Sequence, residues 1–173
     1  MVRNFLLPTL LSTCLVASTG CGKGPRHLST ADYDLGRTLL ADLDKARDAY
    51  PSSGSSVWLQ AFNDAEQKIT NPDLKRDLEN YDSALLYRQA LHHRMESNTY
   101  SVSDLSSAKK IVPASLIRER EFIVLHQKQL ETLIPICHRD ADRWFNETAA
   151  STGACASGLA RYNEETKLPL SED

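Results

Sequence analysis

Two cysteines and four histidines are the residues of this chain whose types and spacing could do chemistry. Cys137 and Cys155 could hold a metal or close a disulfide, but neither belongs to a CxxC pair. His138 adjoins Cys137, yet neighbouring helix positions point about 100° apart and do not converge readily on one ion. His92, His93, His126 and His138 suggest acid–base or metal chemistry. Di-metal helical bundles need Glu-x-x-His pairs on two helices, and the chain has none in that order. His92 with Glu96, and His138 with Asp142, stand one helical turn apart, the spacing of surface pairs worth a few tenths of a kcal/mol. Ser151-Thr152-Gly153 and Ser157-Gly158 do not form the GxSxG elbow, and no P-loop, GxGxxG or HExxH occurs. The expectation is a chain that is not an enzyme, with no catalytic residue, metal or cofactor.

A third cysteine has a different setting. Met1 to Asn4 carry one charge, Arg3, and are followed by an apolar run from Phe5 to Val16 that Pro8 interrupts. That core is about 12 residues, short of the ~20 that cross a bilayer as a helix, and has the layout of an export signal. Ala17-Ser18-Thr19-Gly20 then lead into Cys21. This stretch resembles the lipobox of bacterial lipoproteins, although Ser18 stands three before the cysteine, where Leu is usual. The resemblance implies cleavage after residue 20, diacylglycerol on Cys21 and acylation of the new amine. Ordinary cleavage near Ala17 to Gly20, releasing a secreted protein, is the alternative. Gly22, where an Asp would favour inner-membrane retention, leaves outer-membrane delivery as the default. Residues 21–28, with Gly22, Gly24 and Pro25, read as a lipid-anchored flexible tether.

Export decides among the readings of the remaining cysteines. Cys14 leaves with residues 1–20 and Cys21 takes lipid, so Cys137 and Cys155 remain as an even pair, which in an exported protein points to a disulfide. The full chain holds 20 basic and 23 acidic side chains. Loss of Arg3 leaves the mature chain at 19 against 23, a net of −4, without the basic excess of a nucleic-acid binder. Residues 29–173, about 145 in number, are the length of one domain.

The elements that position these residues are helical. Ser29-Thr30-Ala31-Asp32 fits a capping box, and Leu35, Leu39, Leu43, Ala46 and Tyr50 follow at helical spacing until Pro51 to Gly54. Trp58, Phe62, Ala65 and Ile69 form a second stripe, capped by Ser55 or Ser56. Asn71-Pro72 stops it and starts a third helix, with Asn71 as N-cap and Pro72 at the first helical position. That helix carries Leu74, Leu78, Tyr81 and Leu85 on one face and Ala84, Tyr87, Leu91 and Met95 on the next. The polar run from Ser97 to Ser103 breaks it, and a short helix from Ser103 to Val112 closes at Pro113. A last long helix starts near Ser115 and carries Ile123, Leu130, Ile134, Cys137, Ala141 and Trp144, with Pro135 kinking or splitting it. Thr148 to Gly153 is a loop, and residues 156–167 form a final short helix with Leu159 and Tyr162 inward, ended by Leu168-Pro169. No alternating β-branched run flanked by tight-turn residues occurs. The fold class is all-α, a small helical bundle of four to five main helices with one disulfide.

Trp58, Phe62, Trp144 and Phe145 are the large anchors. Trp144 and Phe145 are adjacent and cannot share one direction, so one of the two is a candidate partner contact. Arg118-Glu119-Arg120-Glu121 reads as a charged outer face. Asn146-Glu147-Thr148 is a glycosylation sequon only in a eukaryotic secretory pathway, which the lipobox argues against. The expected function is protein binding by a lipid-anchored cell-envelope protein, as an adaptor, assembly factor or chaperone-like lipoprotein. Lipid on Cys21 holds it to a membrane, on the periplasmic side of the outer membrane by default. In length class, lipobox and helicity the chain is similar to the secretin pilotins, with which it shares no motif. The alternative is a periplasmic inhibitor or immunity protein whose acidic balance suits a basic toxin or lysozyme.

Overall fold

The computed structural model describes residues 28–51, 62–107 and 112–166. These fold as α1 (Thr30–Asp48), α2 (Pro72–Ser107), α3 (Ala114–Asp142) and α4 (Ala154–Thr166), with a further helical segment over residues 62–66. Among the described residues there is no strand. The signal peptide over 1–20, Cys21 and its tether to residue 27, the Ser55 or Ser56 cap, Trp58 and the Leu168-Pro169 stop lie outside the described residues.

Local chemistry sets the helix starts. The Ser29 hydroxyl accepts from the Asp32 N–H at 3.0 Å, which fulfils half of the capping box. The other half goes elsewhere: the Asp32 carboxylate accepts from the Thr70 N–H at 2.8 Å and the Thr70 hydroxyl at 2.7 Å. A residue that looks like a local cap therefore ties α1 to the segment before α2. Asn71 Oδ1 accepts from the Asp73 and Leu74 N–H groups at 3.1 and 2.9 Å, while Pro72 opens α2, where a missing N–H costs nothing.

The core lies where the stripes meet. Leu39, Leu43, Leu74, Leu78, Tyr81, Ala84, Ile123, Leu130, Ile134, Cys137 and Ala141 are all buried in it, so the helical spacing identified the inward faces. Gly36 on α1 makes a close approach possible: a Cβ there would stand 2.9 Å from Leu74 Cδ2 and 3.0 Å from Phe145 Cζ.

Several boundaries differ from the sequence reading: α4 starts at Ala154 rather than at residue 156, and the segment before α2 is helical to Glu66 and not to Ile69. The polar run from Ser97 to Ser103 does not break α2, which continues to Ser107 with no separate helix from Ser103. Ser97 and Ser107 of α2 turn their hydroxyls back on the preceding turn, to the His93 carbonyl at 3.0 Å and the Ser103 carbonyl at 2.9 Å. Asn98 is buried and donates to the Leu116 carbonyl at 3.3 Å, so packing against α3 holds the turn that propensity alone would release. The helix α3 also runs through Pro135 undivided. It ends at Asp142 rather than continuing past Trp144, with the Arg143 N–H bonding the Arg139 carbonyl at 3.1 Å.

Side-chain pairs along the helices give their directions. Asp32 meets Thr70, Asp44 meets Tyr81 and the Arg47 carbonyl meets Arg88, so α1 and α2 run parallel. Arg143 meets Asp77 and Glu119 meets Arg94, so α3 runs antiparallel to α2. Cys155 joins Cys137 and Glu165 meets Gln129, which sets α4 antiparallel to α3. Thus α1 ends level with Arg88, and α4 ends level with Gln129. Beyond those points the α2–α3 hairpin runs on to Ser107 and Ala114, roughly 28 Å along α2 and roughly 22 Å along α3 at 1.5 Å per residue.

Candidate functional site

The end of the bundle where α3 gives way to α4 is locked by covalent and charged links. Cys137 and Cys155 are joined by a disulfide with Cα atoms 4.7 Å apart, and both are buried. Because α3 stops at Asp142, the return to Cys155 is short and Gly153, at φ 63°, makes the turn. Buried Asp140 accepts from the Thr152 N–H at 3.0 Å and the Cys155 N–H at 3.3 Å. It thereby supplies from α3 the acceptor and negative charge that the first turn of α4 requires.

Asp77 on α2 is the other lock. Its Oδ2 accepts from Arg143 Nη2 at 2.6 Å, Arg143 Nε at 3.1 Å and Trp144 Nε1 at 2.9 Å. Trp144 is half-buried here, under the Arg143 guanidinium 4.6 Å from its ring. Phe145 is half-buried too, edge-on to Tyr33 with centroids 5.5 Å apart and against Gly36. Both adjacent aromatics thus turn onto the bundle: the helix ends before them, and the turn geometry after Asp142 frees them from helical spacing. The outward ring expected of this pair does not stand there.

The histidines are distributed among structural contacts. His92 and His93 both meet Glu96, at 3.2 and 3.3 Å. His138 meets Asp44 of α1 at 3.3 Å, not Asp142. Buried His126 meets Gln129 Oε1 at 2.7 Å, between Phe122 and Tyr162. Burial beside Tyr87 pushes the Tyr162 hydroxyl up to about 12. Among the described residues no three His, Cys, Asp or Glu side chains form a metal cluster, and no helix is long and apolar enough to cross a membrane.

Exposed apolar surface gathers instead on the projecting hairpin. Ile117, Val124 and Leu125 are 49, 52 and 56% exposed. With Val112 and Leu116 they form a shallow apolar groove that Arg120, Glu121 and Lys128 also line. Exposed Arg118 adds a further positive charge next to Ile117, so this patch is basic on a chain that is acidic overall. Inside the hairpin, Arg94 donates to Glu119 at 2.9 Å and stacks over Phe122 at 5.3 Å, while Asn98 reaches Leu116. The two helices are thereby fastened to each other on one side and leave the aliphatic side open.

A signal for this patch was present in the sequence. Phe122-Ile123-Val124-Leu125 is a run of four apolar residues, and at about 100° per residue they cannot all face one core. Nothing local marked Asp77 or Asp140, whose partners are distant in sequence or arise from a turn. Compared with protein-family models, curated proteins and solved structures, the chain matches none. The functional reading therefore rests on these residues themselves.

Proposed function

We propose that the chain is a lipid-anchored cell-envelope protein that works by binding another protein through the outer face of its α2–α3 hairpin. The observation that carries this reading is the cluster of half-exposed Ile117, Val124 and Leu125 on a hairpin that outruns the other described helices. A two-helix hairpin buries less apolar surface than a three- or four-helix bundle, and a further helix laid against it completes the packing. The occupant is an amphipathic helix of the partner, with an aliphatic stripe for the groove and acidic flanks for Arg118, Arg120 and Lys128. An inhibitor of a basic enzyme would need a face of the opposite sign. The lipobox-like run before Cys21 supports tethering to a membrane, with the periplasmic side of the outer membrane as its place. The few residues of tether to Leu28 keep the docking face close to that surface.

Two measurements test the parts separately. Cells fed a clickable fatty acid are expected to label the wild type and not Cys21→Ser; equal labelling, or none, removes the anchor. A photo-crosslinker placed at Val124 is expected to capture one envelope protein through an acidic amphipathic segment. That adduct is expected to disappear with Leu125→Glu, and a crosslinker at exposed Ala160 is expected to give none. Adducts to lipid alone, or a hydrolytic activity lost on changing one polar residue, overturn the protein-docking reading.

A further inference from the structure

The segment that joins α1 to α2 buries Phe62 and Ile69 in the core and is also held by acidic side chains at two places. At one, the Asp32 carboxylate holds the Thr70 N–H and hydroxyl. At the other, Glu66 and Asp82 are 4 and 6% exposed, and Glu66 Oε1 and Asp82 Oδ1 have no hydrogen-bond partner among the described residues. Lys75, Glu79 and Asp82 stand at i, i+4 and i+7 on one face of α2, beside the core face of Leu74, Leu78 and Tyr81. Glu66 comes onto that face against Glu79, and its nearest cation is Lys75 Nζ at 3.7 Å.

Buried carboxylates without partners are costly in the charged form, and two carboxyls facing each other share a proton more readily than they both ionise. We propose that this contact is an acid-closed clasp: Glu66 is held on α2 beside Glu79 and Asp82 in its protonated form, and ionisation in mildly alkaline conditions loosens residues 62–69. Burial first, and then the hydrogen bond and charge of Glu79, push Glu66 up to about 7. Burial alone pushes Asp82 up to about 7. The charged groups facing Glu66 are Lys75, Glu79 and Asp82, and Asp64 and Lys68 of its own segment are exposed. Residues 52–61, which precede the segment, include no ionisable side chain.

The closed state binds protons that the open state has lost, so closure is favoured below the ordinary carboxyl values and weakens as pH rises through about 7. Asp32 acts oppositely and keeps its contact with Thr70 at neutral pH. Burial raises its carboxyl, but hydrogen bonds from Thr70, Ser29 and Asn71 outweigh this and leave it below its ordinary value. The clasp therefore opens on its α2 side while the Thr70 anchor holds.

Amide hydrogen exchange on the full chain reads this directly. The N–H groups of Gln67, Lys68 and Ile69 bond the carbonyls of Asn63, Ala65 and Glu66 and report whether the segment is closed. After correction for intrinsic exchange, their opening is expected to be at least about tenfold more frequent at pH 8 than at pH 5. Amides of the α3 core around Leu130 are expected to lack that change. Glu66→Gln, which carries the neutral shape at every pH, is expected to abolish most of the difference, and Asp82→Asn part of it. Equal protection at the two pH values in the wild type overturns the clasp. So does a pH response that survives both substitutions together.

Discussion

At the scale of single residues, Asp77 ties α2 to the end of α3 through a single oxygen. One carboxylate oxygen accepts from both Arg143 and Trp144, so Asp77→Ala removes three hydrogen bonds from a buried charge at once. Breaking a buried ion pair from one side costs about 3–5 kcal/mol. Urea unfolding of Asp77→Ala is expected to show a loss of that size, and a loss below about 1 kcal/mol would mean that the pair is solvated and weak. The Cys137–Cys155 bond acts through the unfolded chain, and closing a loop of this length stabilises by about 3 kcal/mol. Thiol titration of the unreduced protein is expected to find neither cysteine reactive, with reduction lowering the melting temperature. Two reactive thiols in the native protein contradict the bond. The pair was readable from cysteine bookkeeping. The Asp77 network was not, because its members are 66 and 67 positions apart.

At the scale of elements, caps behaved as local rules say and breakers did not. Asn71 satisfies two N–H groups at the start of α2, so Asn71→Ala is expected to cost about 1 kcal/mol in thermal or chemical unfolding. Pro135 sits exposed within α3 and denies one carbonyl its helical partner. Pro135→Ala is accordingly expected to raise stability by about 1–3 kcal/mol, and a destabilised variant would show that the ring makes packing contacts that outweigh the lost bond. Both Pro135 and the Ser97 to Ser103 run were reasonable places for a helix to end. Each instead lies in a helix whose other face is buried on a neighbour, and side-chain packing of a long antiparallel pair exceeds the few tenths of a kcal/mol per residue that propensity contributes.

At the scale of the whole molecule, acidic groups with opposite shifts shape the response to pH. Asp32, lowered in the fold, contributes stability that is present above its unfolded value and lost as pH falls through its folded one. Glu66 and Asp82, raised, contribute stability that is present below their unfolded values and lost as pH rises through about 7. The melting temperature is therefore expected to peak between about pH 4 and 6, and Glu66→Gln is expected to flatten the alkaline side. A plateau from pH 5 to 8 in the wild type contradicts this balance. By itself the sequence determined the helical class, the starts of α1 and α2, the inward faces and the cysteines left to pair. These depend on the i to i+4 neighbourhood or on counting, and such information is complete within a short window. Tertiary structure decided where α2 and α3 end, that Trp144 and Phe145 turn inward, that His138 meets Asp44, and that the described helices leave one side of a hairpin uncovered. Each of those outcomes depends on which distant surface arrives opposite a residue, and a side chain buried against such a surface gains more than its local preference can oppose.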